Sequence, residues 1–158
     1  MADAPQPSFQ IEKLYVKDLS LEVPGAPQVF LESQTPQLEI QVQHAANGFA
    51  ESLFEVVLTV TVTARAGDKT VFLAEAAQAG IFALRNVPEQ DIEPLLAVGC
   101  PSILYPYARE AISDLVSRGG FPPVLLSPVS FEAIYAQRRQ QGDGGAKDFC
   151  LRFPCSSV

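Results

Sequence analysis

The sequence has no tryptophan, one histidine, one methionine and three cysteines in 158 residues. A lone histidine, His44, leaves no second imidazole for a Ser-His-Asp relay or a histidine metal cluster. Cys100, Cys150 and Cys155 fall short of a four-ligand zinc site and fit a reducing compartment. Cys100, before Pro101 and near apolar neighbours, reads as a small buried residue. Basic side chains are scarce, 11 Lys and Arg against 18 Asp and Glu, for a formal net charge of -7. That lacks the basic footprint of a nucleic-acid or anionic-membrane binder and suits a basic partner. No apolar run approaches the ~20 residues of a membrane span. Met1–Ser8 has neither the basic nor the apolar region of a signal peptide, so a cytoplasmic location is expected. There is no glycine-rich phosphate loop, because Gly119-Gly120 closes a helical pattern instead of opening one. Glu89, Asp91 and Glu93 read as a solvated acidic run. The expectation is a protein that is not an enzyme, has no metal site, and works through its surfaces.

What is present is apolar patterning. Hydrophobic residues make up 47% of the chain, enough for one domain with a real core. From Ser52 to Leu84, two apolar runs flank Arg65-Ala66-Gly67-Asp68-Lys69. In the first, Phe54, Val56, Leu58, Val60 and Val62 alternate with Glu55, Thr59, Thr61 and Thr63, which predicts a half-buried strand. The second run completes an antiparallel hairpin. Gly80 within it predicts a bulge or a close backbone approach. Phe9–Glu22 is a candidate first strand whose two parities both mix apolar and charged residues, as at an edge or a subunit boundary. Gln37–Gln43 alternates cleanly and is the second strand, with a turn signal at Asn47-Gly48.

After Asn86-Val87-Pro88 the period changes. Residues 89–98 suggest a weak helical turn or two. From Cys100, apolar residues recur at three and four through Val116, predicting an amphipathic helix with Pro106 in its first turn and Gly119-Gly120 at its end. Phe121–Pro128 is an extended, proline-stiffened connector, and a second helix runs from about Ser130 to Gln141. The expected fold is α+β: a four-stranded antiparallel sheet with two C-terminal helices packed on one face. The expected division is a flexible N-terminus at 1–8, a folded domain at 9–141 and a mobile tail at 142–158.

Cys100–Ala136, CPSILYPYAREAISDLVSRGGFPPVLLSPVSFEAIYA, closely resembles the SecB family of bacterial protein-export chaperones. So do FQIEKLYVKDLSLEVPGAP (Phe9–Pro27), EVVLTVTVTA (Glu55–Ala64) and FLAEAAQAGIF (Phe72–Phe82). The resemblance implies a homotetramer, built as a dimer of dimers, that binds unfolded secretory precursor proteins and delivers them to the SecA motor. It implies that no cofactor is needed, while the net charge and the lack of an apolar span argue against nucleic-acid binding and membrane insertion. An alternative within the resemblance is a SecB-like chaperone dedicated to one client, such as an antitoxin.

Carried over by position, the resemblance places SecA contact at Asp18, Glu22, Leu73 and Glu75. It places the unfolded-peptide groove between the sheet (Leu38, Ile40, Val42, Phe54 and Phe72) and the connector (Phe121, Val124, Leu125 and Leu126). Subunit packing falls to Ala74, Ala76 and Gln78, with Tyr107, Ala108 and Ala111 between dimers. The tail AKDFCLRFPCSSV, Ala146–Val158, departs from the polar, acidic C-terminus that the family leads one to expect.

Overall fold

The structure is a computed structural model that describes residues 4–141 and the backbone of 151–154. The strands are β1 (Ser8–Glu22), β2 (Gln37–Ala50), β3 (Leu53–Ala66), β4 (Lys69–Arg85) and β5 (Leu151–Pro154). The helices are α1 (Glu89–Pro94), α2 (Cys100–Arg118) and α3 (Phe131–Gln140). One sheet has the order β1-β4-β3-β2-β5, and every neighbouring pair is antiparallel. The four expected strands are present. The fifth comes from the segment read as tail; the remaining tail residues, 142–150 and 155–158, lie outside the described residues.

The β3–β4 hairpin follows its pattern. Val56, Leu58, Val60 and Val62 are fully buried on one face, while the intervening Thr side stays partly open. Gly67 sits in the turn at φ +62°, a conformation that favours glycine. At Gly80 the backbone approach is the close one. A Cβ there would meet the Phe82 ring at 2.8 Å and Leu14 Cδ2 at 3.0 Å, and the β3–β4 register has no bulge at that point.

Two bulges in β1, at the shifts Ile11/Lys13 and Val16/Asp18, explain its mixed parity. Each inserts one residue and moves the following side chains to the other face. Paired residues share a face. Phe9, Ile11, Leu14, Val16, Leu19 and Leu21 therefore line up opposite Leu84, Phe82, Gly80, Gln78, Ala76 and Ala74. Lys13, Tyr15, Asp18, Ser20 and Glu22 fall on the opposite face. A strand that looks unsorted by simple alternation is sorted completely by the two bulges.

The expected turn at Asn47-Gly48 is not one. β2 runs through it to Ala50, with a register shift between Gly48 and Ala50. The turn falls at Ser52, φ +60°. Gly48 instead makes room for Phe54, whose Cε1 would lie 3.4 Å from a Cβ there.

α1 continues through a π-type turn, Leu95–Gly99, directly into α2. Pro101 takes the first-turn position expected of Pro106. Pro106 lies inside α2 on its exposed side, where the carbonyl it releases can turn to water. α2 ends at Gly119 and Gly120 (φ +87°). α2 covers the apolar sheet face: Cys100, Leu104, Ala108, Ile112 and Val116 join Val56–Val62, Ala74 and Ala76 in one core. Among the described residues, no helix of the core lies on the other sheet face.

Candidate functional site

The open sheet face brings the predicted docking residues together. Glu22 pairs with Leu73, Ser20 with Glu75, and Asp18 with Ala77, so Asp18, Glu22, Leu73 and Glu75 occupy one face of adjacent strands. Asp18 and Glu22 are exposed; Leu73 and Glu75 are half-buried. Glu75 accepts a hydrogen bond from Thr61 Oγ1 at 3.1 Å, which orients one carboxylate oxygen and leaves the other available. Sequence reading missed a second cluster on this face. Glu55 accepts from the Tyr15 hydroxyl, and Lys17 Nζ lies 2.8 Å from Glu55 Oε1. Lys17 hydrogen bonding, then Tyr15, holds the Glu55 carboxyl below its ordinary value against the opposing effect of burial. Burial first, then Glu55, pushes Tyr15 up to about 12. This pairing neutralises a cation that would otherwise stand beside the acidic patch.

The predicted groove is redistributed. Ile40, Val42, Phe72, Val124 and Leu126 are buried in the core, because α2 and the connector close over that part of the sheet. Leu38, Phe54 and Phe121 are half-buried at the core margin. Phe121 stacks on Phe72 with centroids 4.8 Å apart and on Phe30 at 5.3 Å. These contacts seal the connector to the sheet where a groove was expected. The connector alternates as an extended chain does: Val124 and Leu126 point in, and Leu125 points out. The Tyr105 hydroxyl donates to the Ser127 carbonyl and fastens the connector to α2. An open cleft of about 550 Å³ lies on the helix side, lined by Arg109, Ser113, Ser117, Val124, Leu125 and Leu126 among others.

The apolar side chains presented to solvent here are Phe30 (50% exposed), Leu31 (86%) and Leu125 (84%). Phe30 and Leu31 sit on a short 3-10 turn, Gln28–Leu31, in a stretch to which the sequence reading assigned no element. The run Val29-Phe30-Leu31 after a proline–glycine loop was the available signal. Gly120 permits the arrangement, since a Cβ there would sit 3.2 Å from Phe30 Cε1. A second cleft, about 780 Å³, is lined by Phe9, Val87, Pro94, Leu95, Val98 and Tyr135 among others.

The residues expected between subunits divide. Ala74, Ala76 and Gln78 on β4 and Ala108 on α2 are buried within the single chain. Tyr107 is exposed on α2, and Ala111 is half-buried and packs against the core. Exposed apolar side chains also line edge strand β1, at Phe9, Ile11, Val16 and Leu19. Burial pushes the Cys100 thiol up to about 12. Among the described residues no group of His, Cys, Asp and Glu could hold a metal ion, and no helix is long and apolar enough to cross a membrane.

A family model described as preprotein translocase subunit SecB matches residues 2–142. The protein-export protein SecB of Methylobacillus flagellatus is 59% identical over 140 residues, covering 89% of each chain. That of Dechloromonas aromatica is 60% identical over 139 residues, covering 88% of this chain and 91% of its own. Among solved structures, the Mycobacterium tuberculosis SecB-like chaperone in complex with a peptide of the HigA1 antitoxin aligns with a TM-score of 0.63 at 22% identity. That alignment covers 77% of this chain and 90% of the other, and it supports the fold.

Proposed function

The chain belongs to the SecB family, and from that premise we propose how its surfaces divide the work of a protein-export chaperone. It binds unfolded precursor proteins in the cytoplasm, keeps them competent for translocation and hands them to the SecA motor. The observation that carries this reading is the set Phe30, Leu31 and Leu125, apolar side chains exposed to solvent. Exposed apolar side chains beside open clefts bind extended chains without reading their sequence.

The acidic open face, Asp18, Glu22, Leu73 and Glu75, is the surface for SecA. A basic segment of the motor docking there gains steering and register more than raw affinity. The exposed stripe Phe9, Ile11, Val16 and Leu19 on β1, with Tyr107 and Ala111 on α2, supports assembly as a dimer of dimers. Such a stripe is costly to leave in water and fits an isologous contact with a second copy. The high identity to protein-export chaperones favours general export over service to a single antitoxin client.

The test is native mass. Four chains of 17.1 kDa give roughly 68 kDa by closed symmetry. A permanently unfolded secretory precursor should add its mass to that assembly, and the same precursor once folded should not. No added mass with either form would sink the general-chaperone reading.

A further inference from the structure

β5 occupies the outer edge of β2. Leu151, Arg152, Phe153 and Pro154 pair antiparallel with Val42, Gln41, Ile40 and Glu39. β2 is 14 residues long, and its other side is taken by β3 from Gln37 to Ala50. Beyond Val42, no strand among the described residues flanks the outer side of Gln43–Ala50. An open edge presents unpaired backbone N–H and C=O groups and is a ready template for another extended chain. The tail matches that template residue by residue. The register puts residues 151 and 153 on the face that carries the buried Val42 and Ile40, and residue 152 on the face of Glu39 and Gln41. Pro154 then ends the pairing, because it has no N–H to give.

We propose that the outer edge of β2 is a strand-addition site for extended apolar polypeptide, and that the chain's own Leu151–Pro154 segment is its resident occupant. The segment is a stand-in client. An unfolded precursor that adds its backbone to β2 at Glu39–Val42 must displace it. Main-chain pairing is indifferent to sequence, which suits a binder of many clients, while the alternation of β2 favours segments with apolar residues at every second position. The shortness of β5 makes the occupant displaceable, since few ladder bonds hold it. The client half of this inference rests on the chaperone reading above; the occupancy half does not.

The experiment uses three proteins: the full chain, a chain ending at Gln141, and Phe153→Pro, which removes one N–H from the segment. Amide hydrogen exchange is read at Glu39–Val42, and affinity is read with a reduced, carboxymethylated secretory precursor as probe. Expected is protection of the outward-facing amides of Glu39–Val42 in the full chain that is lost in both variants. Expected too is an about tenfold tighter probe affinity in both variants, the factor by which a site that is nine-tenths occupied is masked. Equal exchange in all three proteins overturns the occupancy and the proposal with it. Lost protection with unchanged affinity overturns the competition. If no protein binds the probe, the chaperone reading fails and takes the client half with it, while the exchange data still report on the occupant.

Discussion

The ring of Phe121 lies on that of Phe72 with centroids 4.8 Å apart and planes tilted by 39°. That contact joins the connector to the sheet. It turns what the sequence suggests is an open groove into a packed seam, and it leaves the neighbouring Phe30 and Leu125 as the reachable apolar surface. Phe121→Ala should therefore act on stability, costing about 2 kcal/mol, below the range for a fully buried phenylalanine because the ring is only half-buried. Leu125→Asp should leave stability within about 0.5 kcal/mol, as expected for a surface site, and weaken binding of an unfolded precursor about tenfold. Denaturant unfolding and a binding titration on the two variants separate these effects. Equal behaviour of the two would contradict the division of the connector into an inward and an outward side.

Charge reversal tests the open sheet face. Glu75→Lys and Glu22→Lys should slow association with a basic segment of the motor and reduce the salt dependence of that association, because steering is the term removed. Precursor binding and native mass should stay as they are, since neither carboxylate touches the core. A fall in precursor binding equal to the fall in motor binding would mean that the two faces are not separate.

The edge stripe is testable by size alone. Val16 and Leu19 are exposed in the single chain, so Val16→Asp combined with Leu19→Asp costs the monomer little. Sedimentation should show the assembly reduced to smaller species with circular dichroism unchanged. An intact tetramer would place the subunit contact elsewhere.

Glu55 gives a pH prediction with a definite sign. Its folded-state pKa lies below the ordinary value of 4.5, first through Lys17 and then through Tyr15. A group lowered in this way contributes stability above its unfolded-state value and loses it as pH falls through the folded-state value. Glu55→Gln should therefore lower stability at neutral pH and flatten the acid limb of the stability curve below about pH 4.5. The same substitution removes a charge that raises Tyr15, so the Tyr15 phenol, at about 12, should move down in an alkaline absorbance titration. An unmoved phenol would break the assignment of that pair.

Cys100 should be inert. With its thiol raised from 9.0 to about 12 by burial, its thiolate fraction near neutrality drops about a thousandfold. With Cys150 and Cys155 replaced by Ser, a thiol reagent should label the native protein only on unfolding. Fast labelling would mean that the helix N-terminus opens.

Much of this was legible in the chain. The period of two in Phe54–Val62 and the period of three and four in Ile103–Val116 are local consequences of strand and helix geometry, so the hairpin, α2 and the sheet's two unlike faces followed directly. Motif density carried the family resemblance, and alternation paired Asp18 with Glu22 along β1 and Leu73 with Glu75 along β4, but only the β1–β4 register makes theirs a single face. What needed the tertiary structure is whatever depends on a neighbour distant in sequence. The bulges that sort β1 arise from its pairing with β4. Alternation in Leu38–Val42 says which side chains face inward, but only α2 and the connector decide whether that side is a groove or a core. Ala74, Ala76 and Gln78 are small enough for close packing against any partner, and it is the position of α2 that makes the partner the chain itself. Local patterning is written residue by residue, whereas coverage is a property of two surfaces meeting, and no window of the sequence contains both.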